Sequence, residues 1–489
     1  MGKTDSACRA ADIFLKFIIL CAILLSVIVL YQNIEVVITA GTLIVFAYLA
    51  IITAVIGFML YLAKFNMPEK LYIMSILIIS LIPRLCFIIL VQTPVSGDFL
   101  LMYNAAEGII SGDRTWIDIP FFSNWGYLIP FVYYEALILK LFGADSALKL
   151  LNVAFMVITN LMIYLLAREC TNSRAAFISA VLYSVYPAPI LLSSVLTNQH
   201  ISLMFFLLSM YFYLVNRSWA GVLLSGLFLF LGNLMRPEAV LILAAMIVHT
   251  LLSLCADFNV KVALSKMLLI LVVFVVLTGL SSVLFKATGA APYGISNNCP
   301  EWKFVLGLDT GSNGTYTDKN SYIISIKDPN QRFNEAKKLI SASLRECKNI
   351  PLFLWEKTKS MWANMESASW SLMHIQKDRP FWEKTGDLTY EQAINHIIYF
   401  DKSIYILLHI LFTAACILLW MPPVSAKHRA CFFIALVLVN YMTYVFIEIQ
   451  TRYRYFIMPS FFIAASVVYE LITKYIGKGT LSGTLENKN

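Results

Sequence analysis

The chain alternates long apolar runs with short polar joints. Runs of about 20 apolar residues, the length needed to cross a bilayer, occur at 13–31, 36–62, 71–93, 148–167, 175–194, 199–216, 219–235, 238–255, 267–286, 403–421, 430–449 and 456–475. The pattern predicts about twelve transmembrane helices, several joined so tightly that they must be antiparallel neighbours. Two stretches break it. The run 127–143 (YLIPFVYYEALILKLFG) is short, contains Pro130 and carries Glu135 and Lys140, so it reads as an interfacial helix rather than a span. Residues 99–110 repeat apolar positions at helical spacing and read as a second one. Segment 287–402 is the only long polar stretch, with Gly307, Gly311 and Gly314 in a turn-rich run, Trp355, Trp362 and Trp370 further on, and an amphipathic helix expected over Arg332 to Lys348.

Composition agrees with this reading. Of 489 residues, 59% are hydrophobic and 13% charged, against about 25% charged in soluble domains; the mean hydropathy is +0.74. The net charge of +8 follows from Lys and Arg collecting in one set of loops, where they fix orientation. With the N-terminus inside, Lys64, Lys70, Arg168, Arg174, Lys261, Lys266, Lys427 and Arg429 all fall on the cytoplasmic side. Both termini are then cytoplasmic, and the loop 94–147 and segment 287–402 lie outside. The expected divisions are 1–66 (two N-terminal helices), 67–286 (a transmembrane module with outer loop 94–147), 287–402 (a small extracytoplasmic α/β or irregular domain), 403–475 (C-terminal helices) and 476–489 (a cytoplasmic tail). The polar start precedes a full-length span without a small-residue cleavage site, so the first helix is expected to be retained. A basic and aromatic array for nucleic acid and a Gly-rich phosphate loop are both missing. The nine cysteines show no metal-ligand spacing; Cys299 and Cys347 both fall in the long polar segment, as a disulfide or as two thiols.

Against this background the acidic stretch from Ser96 to Pro120 stands out, with Asp98, Glu107, Asp113 and Asp118. Carboxylates at the lip of a hydrocarbon slab are costly and usually functional. Three further polar corners reach the same predicted face: Thr197-Asn198-Gln199-His200, Asn233 with Arg236-Pro237-Glu238, and Gln450-Thr451-Arg452-Tyr453-Arg454-Tyr455. A guanidinium fork matches phosphate oxygens, and a nearby carboxylate can take a proton from an incoming hydroxyl or amine. Acid plus phosphate clamp, without a nucleotide motif, suggests group transfer from a lipid-linked phosphate. The catalytic candidate is Asp98. The lipid-phosphate candidates are Arg452, Arg454 and Arg236, and the pocket candidates are Tyr103, Gln199, His200, Glu238 and Tyr453. Each has a plain alternative: Asp98 as a helix N-cap, the arginines as interfacial anchors, Gln199 and His200 as hydrogen-bonded turn residues, Asp113 as a turn residue. Arg84, in mid-span, needs a partner; Glu448, Glu238 and a lipid phosphate are the candidates.

Ser-Gly-Asp98-Phe with Tyr103 and Gly108 beyond, then a Pro/Tyr-rich helix ending Leu-Phe-Gly, resembles the polytopic GT-C glycosyltransferases. The resemblance is to the group holding protein O-mannosyltransferases and the lipid A aminoarabinose transferase (glycosyltransferase family 39). Val195 to Gln199, Leu234 to Glu238, and Arg452-Tyr-Arg-Tyr455 with Pro459 stand where such enzymes carry similar elements, and Trp302 to Thr315 resembles the outer domain of bacterial members. The resemblance covers most of 70–475. It implies a polyprenyl-phosphate sugar donor, a glycan, lipid or protein acceptor, a cleft on the outer face, and a carboxylate in the first outer loop, which Asp98 matches. Family members often carry a second acid directly after; Phe99 stands there, which leaves open whether a divalent metal sits near Asp98. Two other classes compete: a flippase for lipid-linked sugars, and a polysaccharide polymerase or ligase. The first would show broken helices with midplane polar sites.

Overall fold

In a computed structural model the chain is a helical bundle, described over residues 2–62, 67–91, 93–216, 218–253, 260–365, 390–421 and 424–486. Trp370 and Lys64 lie outside the described residues. Among the described residues, seven helical stretches are long and apolar enough to cross a membrane: Ala11–Thr39, Ile44–Tyr61, Glu69–Leu90, Asp145–Cys170, Val260–Ala287, Gln392–Trp420 and His428–Phe446. Three more, Gln199–Leu214, Trp219–Met235 and Ala239–Leu252, are apolar but shorter.

The helices run in chain order as α1 (Gly2–Thr39), α2 (Ile44–Leu62), α3 (Glu69–Leu90), α4 (Gly97–Ser111), α5 (Pro120–Asn124), α6 (Ile129–Phe142), α7 (Asp145–Cys170), α8 (Ser173–Ser184) and α9 (Pro187–Leu192). There follow α10 (Gln199–Leu214), α11 (Trp219–Met235), α12 (Ala239–Ser253), α13 (Val260–Ala287), α14 (Glu301–Gly307), α15 (Pro329–Glu346) and α16 (Ile350–Trp362). The last three are α17 (Tyr390–Trp420), α18 (Val424–Phe446) and α19 (Met458–Glu486). The predicted run 36–62 divides at Gly41, whose φ of +66° suits glycine, so α1 carries the earlier part. The predicted run 456–475 lies in α19, which is not among the seven long apolar stretches.

The expected span 175–194 is broken. Pro187 and Pro189 cannot continue α8, and Pro187 opens the short α9. The break ends the α8 hydrogen-bond ladder at Ser184, and here Arg84 acts. It is fully buried on α3 and donates to Ser184 O at 3.1 Å, Tyr183 O at 3.5 Å and Ser80 O at 2.7 Å. None of the partners expected from the sequence, Glu448, Glu238 or a lipid phosphate, is needed to explain it.

Helix α6 spans 14 residues, about 21 Å at 1.5 Å per residue, too short for a hydrocarbon core of about 30 Å. It packs on α4 and α7. Its Glu135 is fully buried, and both carboxyl oxygens are without a hydrogen-bond partner.

Segment 287–402 holds α14, α15 and α16, and α15 covers the amphipathic stretch read from the sequence. Among the described residues it carries no β-sheet, only an antiparallel bridge between Asn297 and Trp125, so the α/β alternative gives way to helices and irregular loops. A small separate core forms from Cys299, Trp302, Val305, Leu306, Ile323 and Ala336. Cys299 and Cys347 are free thiols. Arg332 ties the segment together, with Glu301 at 3.2 Å, Ile326 O at 3.1 Å and Asn298 O.

Candidate active site

Four pieces of chain far apart in sequence meet at one end of the bundle. The first is α4. Ser96 is extended and Gly97 has φ +57°, a conformation that a side chain would strain. That turn brings Asp98 into the first turn of α4. Ser96, not Asp98, holds the N-cap position, so Asp98 is not the cap. The second is the joint between α11 and α12, where Arg236 ends α11 and Pro237-Glu238 follow. The third is the start of the 287–402 segment, where Lys303 rides on α14. The fourth is the joint between α18 and α19, a stretch of extended chain and a 3₁₀ turn over Thr451–Phe456.

The third and fourth pieces are stitched together by main chain. Glu448 N–H donates to Lys303 O at 2.8 Å, and Ile449 N–H to Gly314 O at 2.9 Å. Gly307 lies so close to Ile447 that a Cβ there would sit 2.2 Å from its carbonyl carbon. The buried ammonium of Lys357 fastens the same seam, donating to Gly307 O and, at 3.0 Å each, to Val445 O and Ile447 O. Burial pulls the Lys357 pKa down to about 7, against which the three carbonyl acceptors favour the charged form.

Between the four pieces lies a cavity of ≈ 690 Å³. Its ionic groups come in pairs. Asp98 Oδ2 is 3.5 Å from an Arg452 terminal nitrogen, with Asp98 half exposed at 52% and Arg452 at 16%. Arg236 Nε meets Glu238 Oε1 at 3.4 Å. Lys303 Nζ pairs with Glu448 Oε2. Gln450 bridges two of these, donating to Glu448 Oε1 at 2.6 Å and accepting from Arg452 Nε at 2.7 Å. Aromatic rings form much of the wall, including Phe121, Trp125, Tyr127, Trp302, Tyr316 and Tyr444. Tyr453 lies at the centre, stacked on Tyr444 at 5.7 Å, with Arg236 and Lys303 each 5.7 Å from its ring.

Burial acts on these groups before their partners do. It favours neutral Lys303, but Tyr453 and Glu448 outweigh it and hold the ammonium pKa above its usual value. Burial likewise opposes the charge on Arg236, and Glu238 and Tyr453 reverse the effect. Glu238 stays above the usual carboxylate range because burial exceeds the pull of Arg236.

The residues singled out from the sequence divide here. Asp98, Arg452, Arg236, Glu238 and Tyr453 line the cavity. Arg454 does not. Its guanidinium is buried, donating to Thr451 O at 3.1 Å and Trp362 O at 3.4 Å, and lies 4.8 Å from the Tyr405 ring. In a 3₁₀ turn each residue advances about 120°, so Arg452 and Arg454 point apart. Gln199 and His200 stand behind the turn: Gln199 Nε2 donates to Arg452 O at 3.2 Å, and His200 Nδ1 meets Tyr455 OH at 2.6 Å while its other ring nitrogen lies 2.9 Å from Leu192 O. They brace the 3₁₀ turn, and Asn198, which accepts from Arg236 at 3.2 Å, reaches the cavity instead. Tyr103 lies outside the lining; burial and Glu107 raise its pKa. Asp113 accepts from the Thr115 amide at 2.9 Å, as a turn residue does. Sequence reasoning missed Lys303 and Glu448 as cavity residues.

The ionic partner of Asp98 is a guanidinium, and no group of three His, Cys, Asp or Glu side chains that could hold a metal occurs among the described residues.

Residues 129–285, less than half of the chain, match the family described as dolichyl-phosphate-mannose-protein mannosyltransferase. No curated protein matches the chain. Among solved structures, the archaeal oligosaccharyltransferase AglB from Archaeoglobus fulgidus, in complex with an inhibitory peptide and a dolichol-phosphate, is similar at 14% identity and a TM-score of 0.42 over 86% of this chain. The apo form of the Archaeoglobus fulgidus oligosaccharyltransferase is similar at 16% identity and a TM-score of 0.41 over 85% of this chain. This chain covers 52% of each, about half of their length.

Proposed function

We propose that this chain is a membrane glycosyltransferase of the GT-C type and moves a sugar from a polyprenyl-phosphate donor to a hydroxyl of an acceptor inside the ≈ 690 Å³ cavity. The observation that carries this reading is the meeting of Asp98 with Arg452 at the cavity wall, beside Arg236 and Lys303. The donor phosphate lies against the Arg452 guanidinium, with Arg236 as a second contact. The ion pair between Asp98 and Arg452 is half exposed, and such pairs contribute about 0–1 kcal/mol. A phosphate diester offering two oxygens to the same guanidinium forms stronger charge-assisted bonds. Arriving donor therefore takes over Arg452 and leaves Asp98 free to accept a proton.

The step balances as follows. Asp98 takes the proton of the acceptor hydroxyl. The oxygen forms a bond to the anomeric carbon as the bond from that carbon to the phosphate oxygen breaks. The electron pair leaves on the polyprenyl phosphate, whose growing charge Arg452 and Arg236 offset. A single displacement inverts the anomeric centre. The aromatic wall suits a sugar ring and the first isoprene units. The concentration of Lys and Arg in the opposite loops supports an extracytoplasmic site with both termini cytoplasmic.

A detergent assay tests the proposal. Purified protein given a polyprenyl-phosphate sugar and an acceptor should release free polyprenyl phosphate with one sugar added per event. No release under conditions where transport cannot be scored would favour the flippase reading. Addition of long glycan blocks would favour the polymerase.

A further inference from the structure

We infer that Asn33, on the first helix and far outside the matched region 129–285, is a positioning residue for the arginine turn of the cavity. The inference rests on the role given above to Arg452. Asn33 is fully buried. Its Oδ1 accepts from Lys402 Nζ of α17. Its Nδ2 donates to Trp362 O, at the end of α16, at 3.1 Å. The same carbonyl accepts from Arg454 at 3.4 Å, and Arg454 Nε closes its own turn on Thr451 O at 3.1 Å. One carbonyl thus joins the first helix to the turn that carries Arg452.

The neighbours of Asn33 show that α1 is a strut. Gln32 Nε2 donates to Trp355 O at 3.0 Å, and Glu35 pairs with Lys359 at 3.0 Å, so one face of α1 holds α16 at three points. Only the Asn33 point continues to Arg454. Lys402 adds a second tie across the same place, donating to Ala363 O at 2.9 Å. The amide of Asn33 is suited to this position because it must accept from the Lys402 nitrogen on one side and donate to a carbonyl on the other. Loss of either half weakens the joint: the Trp362 carbonyl keeps only its bond from Arg454, or Lys402 keeps only its bonds to the end of α16. The turn then shifts, and Arg452 with it. Displacements of about 1 Å at a remote site can cost up to about 100-fold.

The test uses the purified protein and six variants, four of them single substitutions along the strut, with one double variant and Arg452→Gln. Asn33→Leu removes both of these bonds together with the one Asn33 Nδ2 donates to Val29 O within α1. Asn33→Asp keeps an acceptor for Lys402 and removes the donor to Trp362, which guards against a failure to fold. Gln32→Leu removes an equivalent bond between α1 and α16 that does not reach Arg454. Arg454→Leu removes the next link. We expect Asn33→Leu and Asn33→Asp to raise the donor KM roughly 10- to 100-fold, with kcat changing much less and Gln32→Leu leaving donor KM near wild type. Asn33→Leu added to Arg454→Leu should raise donor KM by less than about threefold more, since the two act in series. Equal donor KM for the Asn33 and Gln32 variants, or additive effects with Arg454→Leu, overturns the inference. If Arg452→Gln raises donor KM and the Asn33 variants do not, only the strut fails. If Arg452→Gln also leaves donor KM unchanged, the functional reading fails with it.

Discussion

Asp98 and Arg452, 354 positions apart in the chain, meet at 3.5 Å. One stands in the first turn of a helix that follows a long apolar run, the other in a 3₁₀ turn that precedes the last helix. Their meeting makes the cavity a place where a proton acceptor and an anion receptor serve one bond. It also makes the resting pair self-neutralising until a stronger anion arrives.

The two arginines of the Arg-Tyr-Arg stretch should behave differently. Arg452→Gln removes a charge-assisted contact to phosphate, worth about 1.5–3 kcal/mol, and should raise the donor KM roughly 10- to 150-fold while the melting temperature stays near wild type. Arg454→Gln leaves the buried carbonyls of Thr451 and Trp362 short of a donor and should lower the melting temperature first. Steady-state kinetics and thermal denaturation of the two variants check this.

Much of this arrangement is legible in the sequence, and the rest is not for identifiable reasons. The apolar runs locate the long helices because length and hydrophobicity act locally. Asp98, Arg236 and Arg452 are visible because charge is scarce in such a chain. Lys303 and Glu448 are not, because 145 residues separate them and Glu448 looks like the end of a span. Arg454 is grouped with Arg452 in the sequence because a pair of like residues suggests a shared task, whereas the tight turn points them about 120° apart. The partners of Arg84 are main-chain carbonyls, among them Ser184 O at a proline break, and main-chain acceptors leave no mark in the residue pattern.

Arg84 should prove a structural residue. Arg84→Met leaves the Ser184 carbonyl without its side-chain donor, and an unsatisfied buried acceptor costs about 1–3 kcal/mol. The variant should unfold at lower temperature and keep its donor KM. A raised donor KM at unchanged stability would return Arg84 to the list of ligand contacts.

Gly307 should tolerate no side chain. Its Cβ would meet the main chain of Ile447 at 2.2 Å, and backbone cannot rotate away as a side-chain tip can. Gly307→Ala should cost about 1–3 kcal/mol and separate Lys303 from Glu448, lowering turnover together with stability. Activity and denaturation curves measured side by side test this.

Glu135 gives a pH dependence whose sign is fixed. Burial holds its carboxyl well above the usual carboxylate range, so the folded protein keeps a proton that the unfolded chain releases near pH 4. Stability from this site therefore falls as pH rises above that value, until the folded-state pKa is passed. Glu135→Gln removes the effect. Its melting temperature should match wild type near pH 4 and exceed it increasingly towards pH 8. A variant less stable than wild type at pH 8 would contradict the assignment of a neutral carboxyl.

The central claim is that Asp98 accepts the proton from the acceptor while Arg452 holds the donor. The most direct measurement is the single-turnover rate of Asp98→Asn with saturating polyprenyl-phosphate sugar, alongside donor affinity for the same protein. The account predicts a rate lowered about 100- to 10,000-fold with donor affinity unchanged or tighter, since Arg452 no longer shares its charge. Near wild-type turnover in Asp98→Asn would contradict it.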